Sequence, residues 1–256
     1  MPRILSLIVF ILLAGCSKGG PWVTLDESEA EFQKRVSQTV LIYMDLETMF
    51  PDDSIRMLAR AAGKGDINKV RTLVKSGVDV NGKGSRNATP LFWAMRNTKG
   101  FKTLLELGAN PNIIYGDGST VFHWLTRRND ITKLKLALAY GSNPNIKASL
   151  FSEPAFFETV QVGKNKGASE TFYFLISNGA DIEATNENGQ TLLLVAATLA
   201  RYDYVIELLK LGANPYIKDE VGRGLKYHLK EHEGAFISGS NTEKYMNEVI
   251  NFINNT

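Results

Sequence analysis

The segments Gly77-Val-Asp-Val-Asn81, Gly108-Ala-Asn-Pro-Asn112, Gly141-Ser-Asn-Pro-Asn145, Gly179-Ala-Asp-Ile-Glu183 and Gly212-Ala-Asn-Pro-Tyr216 share one form, and their glycines lie 31, 33, 38 and 33 residues apart. Repetition at this period decides the architecture, because so short a unit cannot bury an apolar face alone and must stack on its neighbours. An amphipathic run precedes each glycine: 67–74, 100–105, 134–139, 171–176 and 204–209. Apolar residues recur there at intervals of three and four, the helical spacing. A glycine after each helix takes the left-handed C-cap conformation without a Cβ penalty. The Asn or Asp beyond it favours the turn that leads out.

A shorter helix is expected upstream in each unit. Thr89-Pro90-Leu91-Phe92 opens the clearest one, since threonine can cap and proline at the first helical position loses no hydrogen bond. Thr120-Val-Phe-His123 and Thr191-Leu-Leu-Leu194 are weaker versions, and Pro154-Ala-Phe-Phe157 stands at the equivalent place between them. Short helix, turn, longer helix, Gly-Ala-Asp/Asn and extended loop: this succession resembles the ankyrin repeat, over roughly Ser54 to Leu229. The resemblance implies an all-α ankyrin-repeat solenoid of about five repeats plus a partial C-terminal one, with an N-terminal helix and a C-terminal capping helix.

Departures from the pattern divide the rest of the chain. Ser54-Ile-Arg-Met-Leu-Ala59 lacks Thr-Pro-Leu, as a capping repeat would. The 38-residue spacing puts extra chain near Ala148–Glu153 or Gly163–Ser169, the latter a polar stretch between two helices. Gly222–Leu229 reads as a last first helix, followed by a loop to Asn241 and a terminal helix over Thr242–Ile253. Toward the N-terminus, Ser28–Glu47 is expected to form one helix with Phe32, Val36, Val40, Tyr43 and Leu46 on the face that covers the first repeat.

Residues 4–13 are an apolar run after Arg3, too short to span a hydrocarbon core, which needs roughly 20 residues. Leu13-Ala14-Gly15-Cys16 resembles a bacterial lipobox, which implies cleavage before Cys16 and lipid attachment at that residue. Ser17 in place of Asp suggests onward export to the periplasmic side of the outer membrane. The domains are therefore 1–15 signal peptide, 16–26 acylated cysteine and tether, 27–53 capping region, 54–229 repeats, and 230–256 loop and capping helix. With Cys16 the single cysteine, a disulfide is excluded and the fold rests on packing. Basic and acidic residues number 29 and 27, a balance that gives no support to a nucleic-acid binder.

Catalytic chemistry finds little footing. His123 occupies the place of the histidine in Thr-Pro-Leu-His, where the resemblance implies an inter-repeat hydrogen bond. His228 and His232 lack the Glu placement of a zinc hydrolase, so no metal or other cofactor is expected. Asp66, Asp130 and Asp203 fall near the starts of second helices and read as caps.

Ankyrin stacks usually bind through a concave surface of loop tips and short-helix ends. On that pattern the tips are 83–87, 114–117, 185–188 and 218–221, and the exposed helix ends are Arg96-Asn97 and Arg127-Arg128. With Lys83 and Arg86 this gathers five basic groups on one side of the N-terminal half, favouring an acidic protein surface or anionic headgroups. Ile114 and Tyr115 would add apolar contact, with Asp117, Asn186 and Glu187 as polar tip residues. Trp93 and Trp124 hold the same place in successive repeats, either as a core ladder or as a recognition surface.

Met49-Phe-Pro-Asp-Asp53 leading into Leu58–Asp66, together with the lipobox and short N-terminal helix, is similar to periplasmic ankyrin lipoproteins of Gram-negative bacteria. Some of these are immunity proteins against type VI secretion lipase or phospholipase effectors. That resemblance implies a non-enzymatic, membrane-anchored binder of one protein toxin, without a small-molecule substrate. An envelope adaptor supporting a periplasmic enzyme or an outer-membrane assembly is the alternative.

Overall fold

A computed structural model describes residues 41–148, 152–160 and 167–255. The expected signal peptide, Cys16, the tether and most of the N-terminal helix lie outside these residues. Among the described residues the chain is all-α, with isolated bridges in place of strands.

The described residues form twelve α-helices in order: α1 Leu46–Met49, α2 Asp53–Lys64, α3 Ile67–Lys75, α4 Pro90–Ala94, α5 Thr98–Glu106, α6 Val121–Arg127, α7 Ile131–Ala139, α8 Glu170–Ser177, α9 Leu192–Thr198, α10 Tyr202–Lys210, α11 Leu225–Glu231 and α12 Asn241–Asn255. The pairs α2–α3, α4–α5, α6–α7 and α9–α10 are the expected repeats, and α11 is the last, partial one. In the remaining unit the first helix is a 3-10 turn, Ala155–Thr159, ahead of α8. The pairs stack in register: α2 packs on α4 and α5, α5 on α7, α6 on the 155–159 turn, α9 on α11, and α12 closes against α10.

The repeated Gly-x-Asx-x-Asn motif does three things in turn. All five motif glycines adopt φ between 86° and 97°, with nothing within 4 Å of an added Cβ, so conformation alone demands glycine there. The Asx at the third position accepts a hydrogen bond from the amide two residues on, as Asn110 does from Asn112 at 2.9 Å and Asn143 from Asn145 at 2.9 Å. The fifth residue then crosses to the next repeat. Asn81, Asn112 and Asn145 donate through Nδ2 to the carbonyls of Gly108, Gly141 and Gly179, at 3.1, 2.8 and 2.8 Å. Their Oδ1 atoms accept from the amides of Asn110, Asn143 and Asp181. Glu183 continues the ladder to the Asn214 amide at 2.7 Å, and the ladder stops at Tyr216, which is 67% exposed.

The core runs along the stack between helix layers. Phe92, Phe101, Phe122, Phe156 and Phe172 are almost fully buried, and removing each such side chain from water stabilises the fold by roughly 1.5–3 kcal/mol. Gly100 in α5 lies so close to α2 that an added Cβ would stand 1.8 Å from the Ala62 carbonyl oxygen.

Three expectations are settled, two by correction and one by a choice between the places left open. The helix over Ser28–Glu47 does not continue through its described end: Leu41–Tyr43 is a 3-10 turn, and Asp45 caps a separate α1 by accepting from the Thr48 amide at 2.6 Å. Tyr43 is consequently partly exposed, while Leu41, Met44, Leu46, Met49 and Phe50 are buried against the first repeat. Second, the extra residues of the long unit belong to the later of the two places. Gly141 to Glu153 is as long as Gly179 to Thr191 and Gly212 to Gly224, whose ends form the equivalent bridges, so the surplus falls between Thr159 and Glu170. Third, Asp203 is not a cap. It sits inside α10 and pairs through both oxygens with Arg201, at 2.9 Å each, while Asp66, Asn97, Asp130 and Ser169 cap the preceding second helices.

Candidate partner-binding surface

Adjacent loop tips are joined by backbone hydrogen bonds. The Gly116 amide donates to the Arg86 carbonyl at 2.6 Å, and the Glu220 amide to the Asn188 carbonyl at 3.1 Å. Each tip also folds on itself, as where Tyr115, Asn186 and Asp219 donate through their amides to Ser119, Gln190 and Arg223. The tips are therefore held in two pairs, 83–87 with 114–117 and 185–188 with 218–221, whose backbone is fixed before any partner arrives, which lowers the ordering cost of binding.

Residues expected on this face divide by what holds them. Tyr115 and Asn186 occupy one repeat position, and its side chain points inward. Tyr115 is 2% exposed, packs edge-on against Phe92 with ring centroids 5.1 Å apart, and lies 3.4 Å from the Thr89 hydroxyl. Burial pushes its phenol well above the usual tyrosine value. Asn186 is buried and accepts from the amides of Asn188 and Gln190, both at 3.0 Å. Neither offers the contact surface expected of it. Asp117 accepts from the Ser119 amide and the Trp124 indole, both at 2.9 Å, and Asn97 caps α5 through the Gly100 amide. Ile114, at 48%, and Glu187 are exposed.

The five basic groups divide likewise. Arg86 is turned back, with φ at 53° and Nη2 donating to the Gly116 carbonyl at 2.8 Å. Arg127 is paired with Glu158 and donates to the Ser119 hydroxyl at 3.0 Å, so most of its charge is answered within the stack. Lys83, Arg96 and Arg128 are exposed, and no carboxylate partner for them occurs among the described residues. Arg96 lies over Trp93, its guanidinium carbon 3.7 Å from the ring centre. Desolvation and the like charge of Arg128 together hold the Arg96 guanidinium below the usual arginine value.

The tryptophans are half-buried rungs, and their covered edges face neighbouring repeats. Trp93 meets Phe50 edge-on at 6.5 Å, and Trp124 meets Phe92 edge-on at 5.9 Å. Each is covered on one face by the arginine three residues on, Arg96 or Arg127. These contacts are those of the core-ladder reading, with an arginine over the remaining face of each ring.

The histidines are engaged in the stack. Nδ1 of His123 lies 2.8 Å from the Thr120 hydroxyl, and Nε2 lies 3.0 Å from the Glu153 carbonyl of the following unit, the inter-repeat bond expected of it. Burial lowers its basicity. His232 Nδ1 sits 2.8 Å from the Tyr202 hydroxyl, and His228 lies 3.5 Å from the Thr198 hydroxyl. No grouping of three or more His, Cys, Asp or Glu able to hold a metal occurs among the described residues, and none of their helices is long and apolar enough to cross a membrane.

The helix pairs, the glycine caps and the asparagine ladder agree with an external match: the family described as Ankyrin repeat fits residues 188–220, from the end of the 185–188 tip into the 218–221 tip. The chain carries an ankyrin-repeat fold. A crystal structure of an ankyrin repeat domain from Acinetobacter baumannii is 23% identical and covers 75% of this chain and 96% of its own, with a TM-score of 0.61. A chain from a complex of a predatory endopeptidase of Bdellovibrio bacteriovorus with an immunity protein is 22% identical and covers 75% and 97%, with a TM-score of 0.58. Among curated proteins, the palmitoyltransferase Hip14 of Drosophila melanogaster is 36% identical over 100 residues, 38% of this chain and 16% of that protein. Protein PhlB of Serratia liquefaciens is 27% identical over 154 residues, 59% and 66%. This ankyrin array therefore spans less than two thirds of the length of either curated relative.

The repeat alignment supplies a signal that reading single tips missed. Gly77, Gly108, Gly141, Gly179 and Gly212 set a register in which Tyr115, Asn186 and Asp219 coincide, and polar or aromatic residues at an inward position must find partners inside.

Proposed function

We propose that this chain is a non-enzymatic protein-binding lipoprotein of the Gram-negative envelope that neutralises a secreted lipase or phospholipase toxin by one-to-one complex formation. The coarser part, a protein-binding scaffold, follows from the ankyrin fold, whose units present side chains on a shared face without building an enclosed catalytic site. The observation that carries the reading is the row of preformed loop tips, tied to each other at Arg86–Gly116 and Asn188–Glu220, with uncompensated charge at Lys83, Arg96 and Arg128 on the side that the ankyrin resemblance makes the concave one. The immunity role is supported by the resemblance to envelope ankyrin lipoproteins and by the likeness to a chain of an endopeptidase–immunity protein complex. Acylation at Cys16 would hold the binder in the compartment where such a toxin acts.

Affinity capture by the full chain from Gram-negative envelope and secreted fractions tests the role. The expected result is one stoichiometric lipase or phospholipase whose activity falls to zero on mixing at equal amounts. Recovery of resident envelope proteins alone would move the function to an adaptor. Incorporation of radiolabelled palmitate, lost in Cys16→Ala, tests the anchor.

A further inference from the structure

The concave face contains the same side-chain unit twice, in two different states. In α6, Arg127 covers the Trp124 ring with its guanidinium carbon 4.8 Å from the centre, and the following repeat supplies Glu158 to pair with it. At the end of α4, Arg96 covers the Trp93 ring at 3.7 Å, more closely than its counterpart. In the repeat that follows Arg96, the residue aligned with Glu158 is Leu125, which is buried and apolar. The indole platform and the guanidinium are thus present twice, and the carboxylate is supplied once.

We propose that Arg96 and Arg128 together receive a carboxylate side chain of the partner protein, reproducing from outside the contact that Glu158 makes to Arg127 from within. This rests on the reading of the chain as a protein binder and names the chemistry of its partner at one point. Arg96 carries the contact because its placement over the Trp93 ring already restrains it, so little side-chain freedom is lost, while the N–H fork of a guanidinium suits bidentate acceptance by a carboxylate. Nη1 of Arg96 makes one weak bond to the Trp93 carbonyl at 3.3 Å, leaving its remaining donors for the partner. Arg128, the exposed C-cap residue of α6, stands at the end of the short helix in the next repeat and adds a second positive charge to this side of the stack. An anion received at Arg96 is favoured by that second charge. A lipid headgroup fits less well, since attachment to anionic membranes draws on about four to eight clustered basic residues and two are engaged at this point.

Nitrogen-15 NMR of the arginine Nε–H groups in the full chain tests the assignment, with the two signals identified by Arg96→Lys and Arg128→Lys. The probe is a blocked hexapeptide of alternating aspartate and glutamate, compared with its asparagine–glutamine counterpart and with phosphatidylglycerol vesicles. The expected result is a saturable shift of both signals with the acidic peptide alone; binding of that peptide, followed in every variant by the Trp93 indole N–H signal beneath Arg96, weakens about ten-fold or more in Arg96→Gln/Arg128→Gln and is unchanged in Lys69→Gln on α3. Absence of saturation, an equal response to the amide peptide, or a response to vesicles only would overturn it. Failure of the protein-binder reading shows separately, as no stoichiometric protein on capture. A captured partner whose affinity is indifferent to the double substitution would sink the carboxylate contact alone.

Discussion

Asn112 reaches across the joint between two repeats to accept a hydrogen bond from the Asn143 amide at 2.9 Å, while its Nδ2 donates to the neighbouring Gly141 carbonyl at 2.8 Å. One side chain thereby fixes the angle between two helix pairs. Asn81 and Asn145 bridge their joints in the same way and Glu183 makes one bond at the next, so a row of side chains joins these repeats in addition to the core.

Asn112→Ala should therefore weaken coupling between repeats. The expected cost is about 1–2 kcal/mol, two hydrogen bonds at a partly solvated site. Urea unfolding would detect it, and a broader transition than the wild type would indicate lost cooperativity between the two halves of the stack. An unchanged midpoint and slope would show that the ladder contributes nothing.

Gly100→Ala separates local preference from packing. Helix propensity alone favours alanine within α5 by about 1 kcal/mol. The added Cβ would stand 1.8 Å from the Ala62 oxygen, and backbone of another helix cannot yield cheaply. Destabilisation by about 2 kcal/mol or more is expected, measured by thermal melting. Stabilisation would contradict the close approach of α2 and α5.

The buried pair in α10 gives a third test. Asp203 is fully buried, holds Arg201 through two bonds, and also accepts from the Gly167 amide at 3.1 Å. Asp203→Ala should cost about 3–5 kcal/mol, because a buried guanidinium loses its bidentate partner. The end of the long insertion should also become more open to proteolysis near Gly167. Near-wild-type stability would remove this pair as the insertion's anchor.

Glu153 makes stability depend on pH in an unusual direction. Burial pushes its carboxyl up to about 7 from 4.5, partly opposed by the Asn186 side chain and Arg127. Between those values the folded chain holds a proton that the unfolded chain has released, so this contribution is complete below about pH 4.5 and is lost as pH rises through about 7. Glu153→Gln should flatten that fall and raise stability at pH 8 by on the order of 1 kcal/mol. Denaturant midpoints at pH 5 and pH 8 check it, and a substitution with equal effect at both would refute the linkage. His123 acts in the opposite sense: its lowered basicity costs stability as pH falls below 6.5.

The architecture was legible because its determinants are local and repeated. A left-handed glycine, an Asx turn and a helical apolar run each act within a few residues, and five copies show them in one register. The role of the motif's last Asn was not legible, since its partners lie in the next unit, about 30 residues away. The same limit explains the misplaced site residues. Tyr115 and Asn186 belong to loop tips in sequence, yet their repeat position faces inward, and Arg127 is half-buried and paired once Glu158 is brought beside it. Asp203 has the composition of a cap two residues too late. The break at Asp45 was hidden in an apolar pattern that continues through it, where a capping carboxylate overrode periodicity.

One consequence is that Arg127 does not belong in a test of the surface. Replacing it by glutamate would set two carboxylates side by side at Glu158 and disturb the fold itself.

The most direct test of the central claim is quantitative capture by three forms of the full chain: wild type, Arg96→Gln/Arg128→Gln on the concave face, and Lys69→Gln on α3. The account predicts one stoichiometric protein partner with the wild type and Lys69→Gln, and at least about ten-fold less with the concave pair replaced. Equal recovery by all three, or no stoichiometric partner with any, would contradict it.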